Sequence, residues 1–350
     1  MHTGMTPVSK KVFCRFTAVL FWMAIPTIIW NYIPLYDSIR NGADELLLIS
    51  FFIFLILGFP AFYIYESHFG GPKLESKSLI ALKFLPHIPQ KCLARIRNPS
   101  LPFFTDEKTR VAFLATLVKI FFFPLMLQGV LGTGYSIINF FSNSFTIPDN
   151  ILAMRHTVWQ VYELLIAILI FLDASVFALA YIAESESLNN EIKSVEPTFF
   201  GWFVAIICYH PFNSWFYKLR VAVIPPLILA VPKTNLAVLT LCLLVSLFSF
   251  LLYVWASFAL GYKAGNLVNR GIVRTGPYAY MRHPAYVGKN LGWLFALIPT
   301  LSNISQILLY ISMAFIYFLR AMTEERHLKR DPDYVDYCRK VPYRFIPGVF

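Results

Sequence analysis

Long apolar runs separated by short polar segments form the main pattern of this 350-residue chain. A helix that crosses the hydrocarbon core of a bilayer needs roughly 20 predominantly apolar residues. The stretches that come close to this length are 13–34, 46–65, 111–131, 158–182, 199–230, 236–260, 286–301 and 303–322. Because a lipid-embedded backbone has to pair its own polar groups, such stretches favour helices. The pattern predicts an all-α, polytopic transmembrane helix bundle with about eight membrane helices.

The stretch 199–230 is the least regular of these candidates, because the polar residues 208–215 interrupt it. Pro211 removes a backbone hydrogen-bond donor, so a broken or re-entrant helix that lines a cavity is predicted here. His210 and Asn213 are secondary candidates for a substrate cavity at this interruption.

The composition excludes a soluble protein of this size. Hydrophobic residues make up 57% of the chain, charged residues only 14%, and the mean hydropathy is +0.60. The net charge of +11 would suit a nucleic-acid partner. Basic residues in the short loops of a membrane protein give the same excess, however, and we predict no nucleic-acid binding.

The lysine and arginine distribution also predicts the orientation. Residues 70–110 are rich in both, whereas the turns 36–45 and 143–157 contain one arginine each. The positive-inside rule then places both termini, the basic loop and the Arg-His segment described below in the cytoplasm. The five cysteines are scattered without zinc spacing, so we predict neither a disulfide framework nor a metal site.

A dense polar segment, residues 269–288, lies between apolar spans near the C-terminus. Arg282 can bind a carboxylate through two hydrogen bonds, His283 can donate or accept, and the tyrosines supply aromatic faces with hydroxyl tips. The candidate site residues in this segment are Gly276, Pro277, Tyr278, Arg282, His283, Pro284, Tyr286 and Gly288. Taken singly, Arg282 and His283 also suit interfacial residues that reach toward lipid phosphates.

Two acidic residues, Glu324 and Glu325, follow after a long apolar stretch. They can pair locally with Arg320 and Arg326. Alternatively, residues 286–322 are long enough for a C-terminal helical hairpin, which would return the glutamates to the membrane face that holds the Arg-His pair. The hairpin predicts one pocket built from acids, a guanidinium, an imidazole and aromatic rings.

These motifs carry a resemblance. Gly276-Pro-Tyr-x-Tyr-x-Arg-His-Pro-x-Tyr-x-Gly288, then Glu324-Glu325-Arg326-x-Leu328, Asp331-Pro-x-Tyr334 and Tyr337 resemble the superfamily of isoprenylcysteine carboxyl methyltransferases and phospholipid methyltransferases. The resemblance covers roughly residues 236–350. It implies an integral membrane enzyme that transfers a methyl group from S-adenosylmethionine to a lipid-like or prenylated acceptor. The cofactor is then expected to bind at the cytosolic loop and tail, and no metal is expected.

The resemblance also implies roles for individual residues. Arg282, His283 and Glu325 are expected to be catalytic. The expected cofactor-binding residues are Gly276, Pro277, Tyr278, Arg282, His283, Pro284, Tyr286, Gly288, Glu324 and Glu325. The acceptor group, a carboxylate or an amine, stays open.

We divide the chain near residue 198, where a polar, acidic stretch ends. Residues 1–198 form an N-terminal membrane body of unknown role, with the substrate side as one candidate. Residues 199–350 form the methyltransferase-like catalytic domain.

Two other classes stay open. The tail, residues 340–350, is similar to the ending of membrane sterol and steroid reductases, which use NADPH. The adjacent acids Glu324 and Glu325 argue against that phosphate-rich cofactor. A transporter would use the intramembrane Lys119, Glu163 and Asp173 as a path. Satisfied helix-helix contacts also explain Glu163 and Asp173, and either acid could instead line the substrate cavity.

Overall fold

The computed structural model describes residues 7–39, 42–69, 76–104, 106–142, 150–182, 184–185, 188–213, 235–301 and 304–349. Its α-helices are α1 (Pro7–Tyr32), α2 (Ala43–Phe69), α3 (Lys77–Phe84), α4 (Ile88–Arg97), α5 (Glu107–Ser142), α6 (Ile151–Ile182), α7 (Phe199–Ile206), α8 (Leu236–Leu260), α9 (Pro284–Leu297), α10 (Ile304–Leu328) and α11 (Pro332–Lys340). Two-residue strands are β1 (Ser194–Val195) and β2 (Val268–Asn269), and 3-10 turns occupy Pro34–Ile39, Leu85–His87, Gly261–Lys263, Gly276–Ala279 and Ile298–Thr300. The all-α prediction is confirmed.

Six helices in the described part are long and apolar enough to cross a membrane. They are Val8–Tyr32, Ala43–Ser67, Glu107–Ser142, Ala153–Ile182, Leu236–Lys263 and Ile304–Leu328. These spans support an integral membrane protein built as a polytopic helical bundle, as predicted.

The count of about eight spans was approximate. The span predicted at 286–301 corresponds to α9, which has only 14 residues. The stretch 199–230 begins as α7, ends its helix at Ile206 and continues in turns to Asn213. Residues 214–234 lie outside the described part of the chain, as does the predicted hairpin turn at residues 302 and 303.

The chain forms two compact units. The first comprises Met1–Pro124 and Ser185–Val195, and the second comprises Leu125–Glu184 and Glu196–Phe350. These units are defined by contacts within the chain. The division that we predicted near residue 198 is a functional one, between a substrate part and a catalytic part, and it stays a prediction.

In the first unit, buried charge on the membrane helices is paired. Glu66 of α2 accepts a hydrogen bond from Arg15 of α1 at 2.6 Å and forms an ion pair with Lys11. Trp22 of α1 donates through Nε1 to the carbonyl of Ser78 at 2.8 Å. Pairing of this kind keeps the cost of charge inside a membrane segment low.

Local sequence signals fix where the helices of the second unit begin. Asn235 accepts from the backbone N–H of Ala237 at 2.8 Å and caps α8, and Asn150 accepts from Ala153 at 2.8 Å at the start of α6. Pro284 occupies the first turn of α9, where its missing N–H needs no partner. These starts set which residues of α8 and α9 face the interior.

The cap of α11 is also a link to the polar loop. Asp331 accepts from the backbone N–H of Asp333 at 3.0 Å, and its other oxygen accepts from Asn269 Nδ2 at 2.7 Å. We expect Asp331→Ala to lose about 1 kcal/mol from the cap and about 1 kcal/mol from the lost side-chain bond. Hydrogen exchange of peptides covering α11 measures this. Exchange as slow as in the unaltered protein would contradict it, and Asp333→Ala is the control.

Helices α8 and α9 approach each other closely at two glycines of α9. A Cβ built at Gly288 would lie 2.6 Å from the carbonyl oxygen of Ser249 and 2.7 Å from the backbone nitrogen of Tyr253. One turn further, the carbonyl of Gly292 accepts a 2.7 Å hydrogen bond from Ser246 Oγ of α8. Only residues without a side chain permit this contact, which holds the first arm of the hairpin against α8.

Candidate active site

A cavity of about 310 Å³ lies inside the second unit, between α6, α8, α9 and α10. One part of its wall is apolar, with Ile166, Ile170, Phe250 and Trp293. The other part is polar and contains the Arg-His pair of the predicted site. A lipid-like molecule with a polar head is the kind of ligand that such a two-sided wall suits.

The cavity wall contains half of the predicted cofactor-binding residues. Tyr278, Arg282, His283, Tyr286 and Glu324 line the cavity. Gly276, Pro277, Pro284, Gly288 and Glu325 are not part of its wall in the described structure. These five shape the loop and the helix packing behind the wall.

Glu325 is the centre of a buried ion network. Its carboxylate lies 3.2 Å from Arg282 Nη1, 3.3 Å from His283 Nε2 and 3.1 Å from Arg344 Nε, and only 2% of the residue is exposed. The hairpin therefore brings the glutamate pair to the Arg-His pair, as predicted. Pairing with the neighbouring Arg320 and Arg326, the local alternative, is not what the structure shows.

The C-terminal tail holds the same loop through backbone contacts. The N–H of Arg282 donates to the carbonyl of Tyr343 at 3.0 Å, and the N–H of His283 donates to the carbonyl of Arg344 at 2.9 Å. The guanidinium of Arg282 also donates to the carbonyl of Pro342 at 3.2 Å. The tail is thus part of the site architecture, and Arg344 is a functional candidate that the sequence did not single out.

Glu324 faces the cavity, whereas Glu325 faces the loop. Glu324 Oε2 accepts a 2.7 Å hydrogen bond from the hydroxyl of Tyr286, and Glu324 is exposed to solvent. The ring of Tyr286 stacks on His283, with centroids 5.5 Å apart. The carboxylate, phenol and imidazole form one continuous polar edge at the open end of the cavity.

Arg320 occupies the wall beside this edge. It donates to Asn266 Oδ1, and its Cζ lies 5.4 Å from the ring centre of Tyr209 and 5.6 Å from that of Tyr286. Arg326, on the outer side of α10, donates to Glu196 at 2.9 Å. Both arginines therefore have hydrogen-bond partners other than Glu324 and Glu325.

Glu196 also places a carboxylate in the cavity wall, and it was not identified from the sequence. It is 2% exposed, and Oε1 accepts hydrogen bonds from the N–H and hydroxyl of Thr198 and from Arg326. Among the described residues, Oε2 has no hydrogen-bond partner although it is buried. Gly201 makes room for the side chain, since a Cβ there would lie 2.4 Å from Glu196 Cγ.

Asp173 of α6 lies in the wall with both oxygens engaged. It accepts hydrogen bonds from the hydroxyls of Tyr253 and Ser257 of α8. Glu163, the other acid of this helix, accepts from Trp159 Nε1 at 2.8 Å. Asp173 therefore joins two helices at the cavity, while Glu163 makes a satisfied local contact.

Of the interrupted stretch 208–215, only Tyr209 lines the cavity among the described residues. The secondary candidates His210 and Asn213 lie elsewhere, and residues 214 and 215 are outside the described part. The aromatic residue just before His210, rather than either polar candidate, is the one that reaches the cavity.

Tyr278 contributes a neutral hydroxyl to the wall. Burial, with Glu324 as a further contributor, raises the pKa of Tyr278 well above its usual value, so the phenol stays protonated at physiological pH. Its backbone carbonyl accepts a 2.7 Å hydrogen bond from Tyr337 of α11. No cluster of His, Cys, Asp and Glu among the described residues is arranged to hold a metal ion.

One of three comparisons with known proteins found a match. The phospholipid methyltransferase family model matches residues 236–331, which run from the start of α8 through α9 and α10. The resemblance to the superfamily of isoprenylcysteine carboxyl and phospholipid methyltransferases is thereby confirmed for the C-terminal portion. Searches of curated proteins and of solved structures found no match. The match supports a membrane methyltransferase that acts on a lipid-like substrate.

Proposed function

We propose that this protein is an integral membrane methyltransferase that uses S-adenosylmethionine and methylates a lipid-like acceptor in the cavity of the second unit. The observation that carries the proposal is the continuity of that cavity. It joins the polar edge of the matched segment, with His283, Tyr286 and Glu324, to the apolar wall at Phe250 and Trp293. A methyl donor with a charged end and an acceptor with an apolar tail can therefore meet in one space.

The residues present fit this cofactor. S-adenosylmethionine carries ribose hydroxyls and an ammonium group that donate hydrogen bonds, together with a cationic sulfonium. Glu196 offers its buried Oε2, which has no hydrogen-bond partner in the described part of the chain, and Glu324 offers an exposed carboxylate at the polar edge. We assign these two acids to the hydroxyls or the ammonium, and His283 or Arg282 to the carboxylate of the cofactor.

Arg282 and Glu325 also have a positioning role. Arg282 Nη1 lies 3.0 Å from Cys338 Sγ and 3.2 Å from Glu325 Oε1, and Nη2 donates to the carbonyl of Pro342, so three contacts tie the guanidinium to the protein itself. The ion pair sets the loop that presents His283 and Tyr286 to the cavity. We expect loss of either partner to misplace that edge, in addition to any direct contact with the cofactor.

When bound, the cofactor supplies an electrophilic methyl group whose transfer turns the sulfonium into a neutral thioether. The protein residues hold acceptor and methyl carbon in line and exclude water, and such positioning accounts for much of the rate of a displacement. A carboxylate acceptor is already a nucleophile. An amine acceptor has to lose a proton first, for which His283 at the polar edge is a candidate base.

The acceptor is lipid-like in this proposal because of the apolar wall. Each buried methylene of its tail contributes roughly 0.8 kcal/mol. We further propose that both termini and the polar edge face the cytoplasm, as the distribution of lysine and arginine predicts. Residues 1–198 remain a candidate substrate side.

Calorimetry of the protein in nanodiscs tests the cofactor. We expect S-adenosylhomocysteine to bind, and Glu324→Gln to weaken binding roughly tenfold, because a hydrogen bond to a charged group contributes about 1.5–3 kcal/mol. Glu107→Gln is the matched control, since Glu107 pairs with Arg110 on the surface of the first unit.

Binding of NADPH without binding of S-adenosylhomocysteine would reject the proposal and favour the reductase alternative. Equal affinity of Glu324→Gln and the unaltered protein would remove Glu324 from the cofactor site.

A further inference from the structure

Lys289 is a cation of the cavity wall with an unusual set of neighbours. Its Nζ lies 4.4 Å from the ring centre of Tyr253, 5.6 Å from that of Trp293 and 5.7 Å from that of Tyr317. Among the described residues, no carboxylate forms a salt bridge with it and no oxygen accepts a hydrogen bond from it. Aromatic faces hold an ammonium in place but leave its N–H donors unmatched.

Three other charged groups of the wall differ from Lys289 because they have hydrogen-bond or ion-pair partners. Both oxygens of Asp173 accept from hydroxyls, Glu324 accepts from Tyr286, and Arg282 pairs with Glu325. Asp173 is close enough to Lys289 for an electrostatic interaction, but the two form no direct pair. An unmatched ammonium on a ligand cavity is a binding group for an anionic oxygen.

The position of Lys289 along α9 indicates which kind of ligand would bring an anionic oxygen to its ammonium. Tyr286, three residues before it, belongs to the polar edge, and Trp293, four residues after it, belongs to the apolar wall. Residues at these spacings share one face of a helix. Lys289 therefore marks the boundary where the head of a lipid-like acceptor meets its tail.

We infer that Lys289 binds an anionic oxygen of the acceptor, a carboxylate or a phosphate, and so determines which lipids are methylated. The inference rests on the proposed methyltransferase function. A carboxylate held there is itself the nucleophile. An amine acceptor is repelled by the ammonium unless it also carries an anion, as the phosphate of an ethanolamine phospholipid does.

The test uses the full-length protein in nanodiscs with two acceptors, an N-acetyl-S-prenylcysteine with a free carboxylate and phosphatidylethanolamine. For whichever acceptor is methylated, we expect Lys289→Met to raise KM at least tenfold, while affinity for S-adenosylhomocysteine stays within twofold. Lys289→Arg should recover part of the loss. Lys193→Met, an exposed lysine of the first unit, is the control.

A measurement on the unaltered protein covers the case in which Lys289→Met does not fold. Alkyl carboxylates and alkyl phosphates should inhibit transfer at least tenfold better than the neutral amide of the same chain length, and their ranking distinguishes the carboxylate from the phosphate source. Equal inhibition by the neutral amide would overturn the inference, as would an unchanged KM in the folded variant.

A different assignment of Lys289, to the carboxylate of the cofactor, has its own signature. Lys289→Met would then weaken S-adenosylhomocysteine but not 5′-methylthioadenosine, which lacks the amino-acid part, and this result would also overturn the inference. If the unaltered protein binds neither compound and methylates neither acceptor, it is the proposed function that fails.

Discussion

Replacement of Glu325 by alanine is expected to destabilise the second unit by about 3–5 kcal/mol, because it leaves a buried arginine and histidine without their carboxylate. Arg282, His283 and Arg344 all lie within 3.3 Å of Glu325, which is 2% exposed. The loop and the tail meet at this carboxylate. We therefore expect a lower thermal unfolding temperature and at least a tenfold loss of affinity for S-adenosylhomocysteine.

The matched control is Asp336→Ala. Asp336 of α11 also contacts two cations, Arg274 at 2.8 Å and Lys340 at 3.1 Å, but it does so at the surface, where an ion pair contributes little. Equal loss of stability in both variants would contradict the assigned role of the buried network, as would a Glu325→Ala protein that melts and binds like the unaltered one.

Gly288→Ala is expected to separate α8 from α9 and to destabilise the protein by about 3 kcal/mol, at the upper end of the usual range for overpacking. The new Cβ would meet backbone atoms at 2.6 and 2.7 Å, and backbone in two packed helices cannot rotate out of the way as a side chain can. Tyr253 and Lys289 sit beside this contact, so the cavity should change shape as well. Thermal unfolding in detergent, followed with and without S-adenosylhomocysteine, measures both effects.

Gly134→Ala in α5 provides the control for this glycine. The nearest atom to its added Cβ is a ring carbon of Phe171 at 3.6 Å, an ordinary contact, and alanine favours a helix over glycine by about 1 kcal/mol. We expect this variant to be as stable as the unaltered protein or more so. Similar melting of the two variants would mean that Gly288 is not a packing constraint.

Much of the fold could be predicted because the relevant physics is local. Twenty-residue apolar runs define membrane helices. In the basic loop, residues 70–110, Pro86 and Pro89 rule out one uninterrupted helix. The structure agrees, since α3 ends at Phe84, a 3-10 turn occupies Leu85–His87 and α4 begins at Ile88. The hairpin could also be predicted, because its length alone returns Glu325 to the level of Arg282.

The residues of the cavity wall were harder to predict, because helix packing decides which side chains reach the cavity. Neighbouring positions on a helix point about 100° apart, so Glu324 and Glu325 have different surroundings, and only the three-dimensional arrangement shows that Glu324 is the one in the cavity wall. Gly288 belongs to the recognised motif and yet serves helix contact. Glu196 lies outside the motif, and nothing in its sequence neighbourhood marks it as a buried carboxylate of the cavity wall.

The short first arm of the hairpin has a consequence for the surrounding lipid. With 14 residues, α9 rises only about 21 Å, against roughly 30 Å for the hydrocarbon core of a typical bilayer. Leu291 of this helix is 41% exposed, so the arm presents an apolar side chain on the outside of the protein. A bilayer around α9 would match so short an arm by local thinning or by flanking side chains that extend to the interface, which would make bilayer thickness a physical variable that acts on this protein.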